Sequence, residues 1–366
     1  MKKRLTFAFI GSLLALASCG GSQDWTYSSR SYENEDWELI ANKPTKQLNS
    51  DFAWGIDVSS LKEVEKGGGK FYDRSGKERD VFEILAEGGS NYARFRLWNN
   101  PFDGNGKRYG GGTNDLATDI ELAKRAQAAG MQVLIDFHYS DSWVDPGKCW
   151  APKAWQNLTE FEEKTGALAD FTKESLEAFK KEGITVNAVQ IGNEINPGIA
   201  GVSAANYQRI SAIIASGINA SRVVFPKVKT IVHYTNVSTQ QSQISKWVGY
   251  LQKYEALPDV IGFSYYPFWH GSLDNLQTVL NNIATTYGTE VMIVETSWGF
   301  TDEAAGDRGA NNQFSSATLG EAGGYETSAQ AQATVISDIV NVLSNVPEQK
   351  GTGIFYWEPA WLPNFS

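Results

Sequence analysis

The sequence predicts an α/β fold, a single-domain (β/α)8 TIM barrel, on two observations. Apolar segments of strand length recur eight times, and most are followed by a segment with the periodicity of an amphipathic helix. The chain after residue 50 also has the length of one barrel with insertions. Strict strand and helix alternation favours an all-parallel sheet, and eight repeats favour closure; a doubly wound open sheet is the alternative.

The predicted strands lie at residues 52–58, 91–97, 131–137, 187–191, 230–233, 260–264, 291–294 and 353–356. The predicted helices lie at residues 115–129, 158–181, 204–220, 240–255, 273–287 and 328–343. Asp115 and Gly130 supply start and stop signals for the first of these helices.

The last strand lacks a following helix, because only nine residues come after Trp357. A complete barrel needs an eighth helix over that face. We therefore expect either that another segment covers the last strand or that the chain is truncated and leaves an apolar strip exposed.

The first 50 residues indicate export. Basic residues 2–4 precede an apolar segment that is too short to span a membrane, so we predict a signal peptide over residues 1–18. Small residues before Cys19 resemble the bacterial lipoprotein box, which implies lipidation of Cys19; an ordinary signal with a chance cysteine is the alternative. The glycine at position 20, directly after Cys19, resembles the pattern that directs lipoproteins to the outer membrane. We predict a tether at 19–50 and the barrel domain at 51–366.

The composition limits the partners. The net charge is −10 and the basic residues are spread thinly, which argues against nucleic acid and favours a neutral substrate. The 12 tryptophans offer flat apolar faces for ligand stacking. If Cys19 is lipidated, Cys149 is the only remaining thiol, so an internal disulfide is excluded.

Two glutamates follow apolar strands directly. Residues 189–192 lead into Asn193 and Glu194, and residues 291–294 lead into Glu295. A single glutamate in this position is commonly a loop or capping residue, but two of them at the C-terminal ends of barrel strands predict a pair of catalytic carboxyl groups. Polar and aromatic residues also lie within the strands near their C-terminal ends or just beyond them: Asp57, Arg94, Arg96, Trp98, Asp136, His138, Trp143, His233, Tyr265, Trp298, Trp357 and Trp361.

Paired carboxyl groups, a neutral substrate and aromatic platforms fit glycoside hydrolysis. The sequence does not support the other common classes of hydrolase. There is no His-Glu-x-x-His motif and only three histidines, no nucleophile elbow, and no phosphate loop, since the glycine clusters at 67–69 and 110–112 lack the Lys-Ser/Thr ending.

Seven motifs together resemble the endo-β-1,4-galactanases of glycoside hydrolase family 53, from about residue 52 to the end. They begin at Gly55 (GIDVS), Arg94 (RFRLW), Asp136 (DFHYSDSWVDPG), Gln190 (QIGNE), Ser264 (SYYPFWHG), Glu295 (ETS) and Tyr356 (YWEPAW). The resemblance implies a retaining (β/α)8 enzyme that acts on β-1,4-galactan or arabinogalactan. It makes Glu194 the acid/base and Glu295 the nucleophile.

Several further roles follow as hypotheses. Arg94 or Arg96, with a phenol such as Tyr265, is expected to stabilise the Glu295 anion. Asn193 is expected to bind the sugar 2-OH. The other predicted substrate-binding residues are Asp136 and His138, Trp357 as the floor of the site, and Trp98, Trp143, Trp298 and Trp361 as its walls.

The chemistry needs no cofactor. Some relatives hold calcium in the loop after the seventh strand, and Asp302, Asp307 and Asn311 could do so here, although a solvated acidic loop is the alternative. We expect a monomer held at the outer membrane through Cys19. Another retaining glycanase such as a mannanase, or a non-catalytic glycan-binding lipoprotein, are the rival functions.

Overall fold

The computed structural model describes residues 46–109, 114–300 and 322–362. Eight parallel strands close into a barrel in which each strand pairs with its neighbours in the sequence and the last pairs with the first. The strands are β1 Ala53–Asp57, β2 Tyr92–Leu97, β3 Gln132–Phe137, β4 Val186–Ile191, β5 Lys229–Tyr234, β6 Val260–Ser264, β7 Glu290–Thr296 and β8 Gly351–Trp357. The predicted barrel is confirmed.

Helices surround the barrel, and the six predicted ones are present. The helices include α1 Leu61–Lys66, α2 Val81–Glu87, α3 Leu116–Ala128, α4 Phe161–Lys181, α5 Tyr207–Val224, α6 Gln241–Lys253, α7 Leu273–Tyr287 and α8 Ala329–Ser344. The first two were not predicted, since six or seven residues are too few to show a helical period. A short antiparallel hairpin, Gly198–Ile199 with Val202–Ser203, lies between β4 and α5.

The barrel interior is apolar towards the N-terminal ends of the strands and polar towards their C-terminal ends. One layer of buried side chains fills its lower part: Ala53, Leu134, Ala188, Ile231, Val260, Met292, Val294 and Phe355. Two residues further along their strands, Arg94, Asp136 and Gln190 are also buried but carry polar groups. Because side chains alternate between the two faces of a strand, the apolar layer supports a polar one at the C-terminal rim.

Gly55 makes room for the largest side chain of this layer. A Cβ atom at Gly55 would lie 2.1 Å from the Phe355 ring, so we expect Gly55→Ala to lower the free energy of unfolding by about 1–3 kcal/mol through overpacking. Gly166→Ala is the control: it lies in α4 with open space around it, and should stabilise by about 0.5–1 kcal/mol. Urea denaturation measures both, and equal effects would contradict this account of the barrel packing.

The outward face of β8 is covered. Ile354 and Tyr356 are 3% and 9% exposed, and the Tyr356 hydroxyl donates to the Trp298 carbonyl and accepts from Gln332 of α8. Helix α8, which precedes β8, therefore helps to cover it. The apolar strip expected on this face is absent from the described part of the chain.

Predicted residues 1–18 and most of the tether lie outside the described residues. Within residues 46–109, 114–300 and 322–362, no helix has both the length and the apolar character needed to cross a membrane.

Candidate active site

Glu295 faces the barrel interior because β7 contains a bulge. Met292 and Val294 are interior side chains, so strict alternation would point Glu295 outward. The pairing with β6 shifts there: Phe263 pairs with Ile293, but Ser264 pairs with Glu295. The pairing with β8 shifts at the same place. An extra residue in one strand re-aims the side chain that follows it, which brings the Glu295 carboxyl group into the barrel mouth.

Glu194 occupies the rim three residues after β4. Its backbone has φ of 41°, a left-handed conformation that is costly for a residue other than glycine. Three other non-glycine residues with positive φ, Tyr139, Asn236 and Glu358, also lie just beyond barrel strands. Unfavourable backbone conformations thus concentrate at the C-terminal rim, as expected for a functional edge.

Ser264 connects the two glutamates. Its Oγ lies 2.7 Å from Glu194 Oε1, and its backbone pairs with Glu295 in the register of β6 and β7. The Tyr266 hydroxyl, two residues further on, donates to Glu295 Oε2 at 3.2 Å. The two carboxyl groups therefore flank one strand end on the same face of the barrel.

Arg94 holds Glu295 in place. Its guanidinium is fully buried and donates to Glu295 Oε1 at 2.9 Å, to Asp57 Oδ2 at 2.7 Å and to Asp136 Oδ2 at 2.8 Å. A buried cation surrounded by carboxyl groups orients them through charge-assisted hydrogen bonds.

Arg96 does not contact Glu295, although it was an alternative to Arg94 for that role. It donates to Asp57 at 2.9 Å and to Glu358 at 2.6 Å, and its guanidinium lies 4.7 Å from the centre of the Trp143 ring. Arg96 instead ties β1 to the residue that follows β8.

The Tyr265 hydroxyl does not contact the Glu295 carboxyl group, so the prediction that it supplies the phenol is wrong. The two residues meet only through the backbone, where the Tyr265 N–H donates to the Glu295 carbonyl at 2.9 Å. Tyr265 points outward from the barrel, into the core beneath the helices, and its hydroxyl donates to the Gly271 carbonyl. Tyr266 supplies the phenol instead. Alternation along β6 gives the physical reason, because Ser264 faces inward and the next side chain must face outward.

Asn193 is held by a dense set of hydrogen bonds. Its Oδ1 accepts from Arg94 Nη2 at 3.0 Å, and its Nδ2 donates to the Val144 carbonyl at 2.9 Å. These contacts fix the orientation of the amide and leave it one N–H donor. His233 and Gln190 also contact Oδ1, at 3.0 and 3.3 Å.

Asp136 and His138 lie beneath the rim and are buried. His138 Nδ1 accepts from the Trp98 indole at 3.1 Å, so its Nε2 carries the proton that faces Asp136 at 3.1 Å. In this structure the pair orients Arg94 from below; their contact with a substrate stays a prediction.

The predicted aromatic walls divide into two groups. Trp98 and Trp298 are 0% and 2% exposed, so neither presents an open face. Trp143, Trp357 and Trp361 are partly exposed and adjacent, with ring centres 6.5 Å apart for the first pair and 4.7 Å for the second. These three rings form a continuous aromatic surface beside the carboxyl groups. Trp269, 61% exposed, follows β6 and was not among the predicted binding residues.

The surroundings of the two glutamates act differently on their pKa values. Burial, reinforced by the Glu295 charge, raises the pKa of Glu194 to about 8, and hydrogen bonds from Ser264 and Thr235 act in the opposite direction. Burial also raises the pKa of Glu295, but Arg94 opposes the rise. Glu194 has no cation in contact within the described residues, so it retains a proton to higher pH than an ordinary glutamate.

Glu358 is a third buried carboxyl group at the rim. It accepts from Arg96, and from the backbone and side chain of Ser60 at 3.2 and 2.9 Å. Burial raises its pKa to about 7 despite Arg96. The sequence placed Glu358 after the last strand but gave no sign of its link to Arg96.

The predicted calcium ligands Asp302, Asp307 and Asn311, and the predicted lipidation site Cys19, lie outside the described residues. Within the described ranges, no group of three or more His, Cys, Asp or Glu side chains is arranged to hold a metal ion.

Comparisons with known proteins agree with this geometry. The sequence profile of glycosyl hydrolase family 53 matches residues 53–366. The chain is 43% identical over 321 residues to the endo-beta-1,4-galactanase of Bacillus subtilis (strain 168), covering 88% of this chain and 73% of that protein. It is 35% identical over 320 residues to the arabinogalactan endo-beta-1,4-galactanase of Humicola insolens, covering 85% and 90%.

The same relationship holds in three dimensions. The GH53 catalytic domain of Ignisphaera aggregans superposes with a TM-score of 0.84 at 36% identity, covering 89% of each chain. A fungal beta-1,4-galactanase superposes with a TM-score of 0.71 at 32% identity, covering 86% of this chain and 90% of the other. A family profile that spans most of the chain, with relatives of this identity, is decisive: this chain belongs to glycosyl hydrolase family 53.

Proposed function

We propose that this protein is an endo-acting, retaining glycoside hydrolase that cleaves β-1,4-galactosidic bonds in galactan and type I arabinogalactan. One observation carries the chemistry: two carboxyl groups share one face of the barrel mouth, and only Glu295 is paired with a buried cation. The substrate class rests on the relatives, since two that are 43% and 35% identical to this chain are named galactanases.

The reaction runs in two displacements. Glu194, protonated, donates its proton to the glycosidic oxygen while a Glu295 oxygen attacks C1, so the C1–O bond breaks and a glycosyl–enzyme ester forms. Glu194, now ionised, then removes a proton from water, whose oxygen attacks C1 and releases Glu295. Arg94 and Tyr266, which hold the two oxygens of Glu295, orient the nucleophile for both steps.

The surroundings provide the substrate contacts. The remaining Asn193 N–H donor would bind the sugar 2-OH, a contact that strengthens towards the oxocarbenium-like transition state. Trp357, Trp143 and Trp361 would stack against pyranose faces, which present C–H groups to aromatic rings.

Hydrolysis of linear β-1,4-galactan, compared with β-mannan and xylan, tests the substrate assignment. We expect cleavage of galactan alone, with a rapid fall in viscosity relative to reducing-end release because the enzyme cuts internally. Cleavage of mannan at a similar rate would favour the rival glycanase, and binding of galactan without any product would favour a glycan-binding protein.

The pH dependence follows from the carboxyl pair. Glu194 acts as an acid only when protonated, so kcat/KM should fall tenfold per pH unit above a pKa of about 8. Glu295 must be ionised, and because its pKa is raised, the acidic limb should lie above the ordinary glutamate range. Initial rates on galactan across pH 4–10 test both limbs, and full activity at pH 10 would contradict the role of Glu194.

Two features of the chain outside this site are also proposed, a calcium site and a lipid anchor. Calcium bound by Asp302, Asp307 and Asn311 would stabilise the loop after β7, so a chelator should lower the melting temperature and added Ca²⁺ should restore it. A melting temperature unchanged by the chelator would count against the ion.

Lipidation of Cys19 would anchor a monomer at the outer membrane, and Cys19→Ala should release the enzyme into the soluble fraction.

A further inference from the structure

Ser264 lies between two groups that compete for its single proton. Its Oγ is 2.7 Å from Glu194 Oε1 and 2.8 Å from His233 Nε2. The side chain is fully buried, and these two are the hydrogen-bond partners that the structure gives it. A hydroxyl group donates one hydrogen, so one of its two neighbours must donate to it.

His233 is the other end of this chain of contacts. It is fully buried, and its Nδ1 lies 3.0 Å from Asn193 Oδ1 and 3.3 Å from the Glu194 backbone N–H. Burial, together with the charge of Arg94, lowers its pKa well below the ordinary value. The ring is therefore neutral and carries one proton, at either Nδ1 or Nε2.

Proton counting leaves two arrangements in which the hydrogen bonds from Glu194 through Ser264 to His233 run in one direction. With Glu194 protonated, Glu194 donates to Ser264, Ser264 donates to His233 Nε2, and Nδ1–H donates to Asn193 Oδ1. With Glu194 ionised, His233 Nε2–H donates to Ser264, Ser264 donates to Glu194, and Nδ1 accepts from the Glu194 backbone N–H. The first arrangement leaves the Glu194 backbone N–H without an acceptor at Nδ1, whereas in the second that N–H and Gln190 Nε2, 3.3 and 3.2 Å away, can both donate to Nδ1. A mixed arrangement places two donors or two acceptors face to face at Ser264, which is costly.

We propose that Ser264 and His233 are positioning residues that couple the protonation state of Glu194 to the hydrogen bonding of Asn193. The inference rests on the proposed function, since it gives a meaning to Glu194 as acid and base. In the acid form, His233 donates to Asn193 Oδ1 and helps to hold the Asn193 N–H towards the sugar. In the base form this bond is lost, and Arg94 continues to hold the amide.

The protons balance. Between the two forms Glu194 loses one proton, to the leaving group or to water, and the imidazole releases one at Nδ1 and takes one up at Nε2 by exchange with water. The ring stays neutral throughout. Other titratable or charged groups also act on this chain from the elements around it: Arg94 on β2, His138 and Asp145 after β3, Tyr266 and His270 after β6, and Glu295 on β7.

The test uses the full enzyme labelled with ¹⁵N-histidine, in which the only three imidazoles are His138, His233 and His270. Couplings between ring nitrogens and carbon-bound protons distinguish the tautomers, and a His233→Gln variant identifies the signal. We expect His233 to change from Nδ1–H to Nε2–H as pH rises through the midpoint of the basic limb of kcat/KM. In Glu194→Gln, whose amide does not titrate in this range, His233 should keep one tautomer at every pH.

Ser264→Ala provides the kinetic arm. Removing the donor to ionised Glu194 should move the basic limb of kcat/KM upward by about one pH unit and uncouple the His233 tautomer from pH. A purely packing role for Ser264 would change the melting temperature and leave that limb in place.

The outcomes separate the two proposals. If wild-type enzyme cleaves galactan while His233 keeps one tautomer from pH 5 to 10, the coupling is wrong and the proposed function stands. If Glu194→Gln cleaves galactan as fast as wild type, the catalytic assignment of Glu194 is wrong, whatever His233 does.

Discussion

Glu295→Gln is expected to abolish galactan hydrolysis while leaving galactan binding nearly intact. The amide has almost the shape of the carboxylate and can still meet Tyr266, but it cannot form the glycosyl–enzyme ester. Loss of a nucleophile typically lowers kcat by about 10⁴-fold or more. Product release measures the first effect, and calorimetric titration with galacto-oligosaccharides measures the second.

Glu290→Gln is the matched control. Glu290 lies on the same strand at the opposite end of the barrel, where it pairs with Lys229 at the surface, so its loss should leave kcat unchanged. Hydrolysis at the wild-type rate in Glu295→Gln would exclude this residue as the nucleophile.

Chemical rescue with azide distinguishes the nucleophile from the acid/base residue. In Glu295→Ala, azide can enter the vacated space and attack C1 from that side, giving an α-galactosyl azide from an aryl β-galacto-oligosaccharide. In Glu194→Ala, azide should instead capture the glycosyl–enzyme ester and give the β-azide. The opposite pattern of anomers would exchange the two roles, and an inverting enzyme would give no β-azide, because it forms no glycosyl–enzyme ester.

The barrel could be predicted from the sequence because its signal is repeated. Each buried parallel strand is a short apolar run, and eight of them with helical segments between leave few other architectures. The ends of the helices could be predicted less closely than their presence. Helix α5 was predicted at 204–220 but is Tyr207–Val224, because the hairpin at 198–203 uses part of the connection and Asn206 then caps the helix. Tertiary contacts of this kind leave no local pattern.

The orientation of site residues was harder to predict than their position. The sequence places Glu295 at a strand end, but simple alternation after Val294 points it outward, and only the bulge reverses that. Counting along β6 would have favoured Tyr266 over Tyr265 from the inward position of Ser264. For Trp98 and Trp298, burial depends on which loops fold over them, and no spacing in the sequence encodes this.

Arg94→Met is expected to be the most destabilising substitution in the site. The methionine fills much of the same volume, but Asp57, Asp136 and Glu295 would be left buried without their shared cation. Removing one partner of a buried ion pair typically costs about 3–5 kcal/mol, and here Asp136 and Glu295 lose their arginine while Asp57 keeps only Arg96. Arg79→Met is the control, because Arg79 pairs with the exposed Glu83 and Glu87 and should have a far smaller effect.

The loss of stability in Arg94→Met should depend on pH with a definite sign. In the wild type, burial alone would raise the pKa of Asp57, but Arg96 and Arg94 outweigh it and hold that pKa below its ordinary value. For Glu295, burial already raises the pKa and Arg94 opposes the rise, so without Arg94 the pKa of Glu295 moves further above its unfolded value. Groups of this kind favour the folded state at low pH and lose that contribution as pH rises through the folded pKa. Urea denaturation at pH 5 and pH 8 should therefore show a greater deficit at pH 8. A deficit that is equal at both values, or no greater than that of Arg79→Met, would mean that the carboxyl cluster does not depend on Arg94.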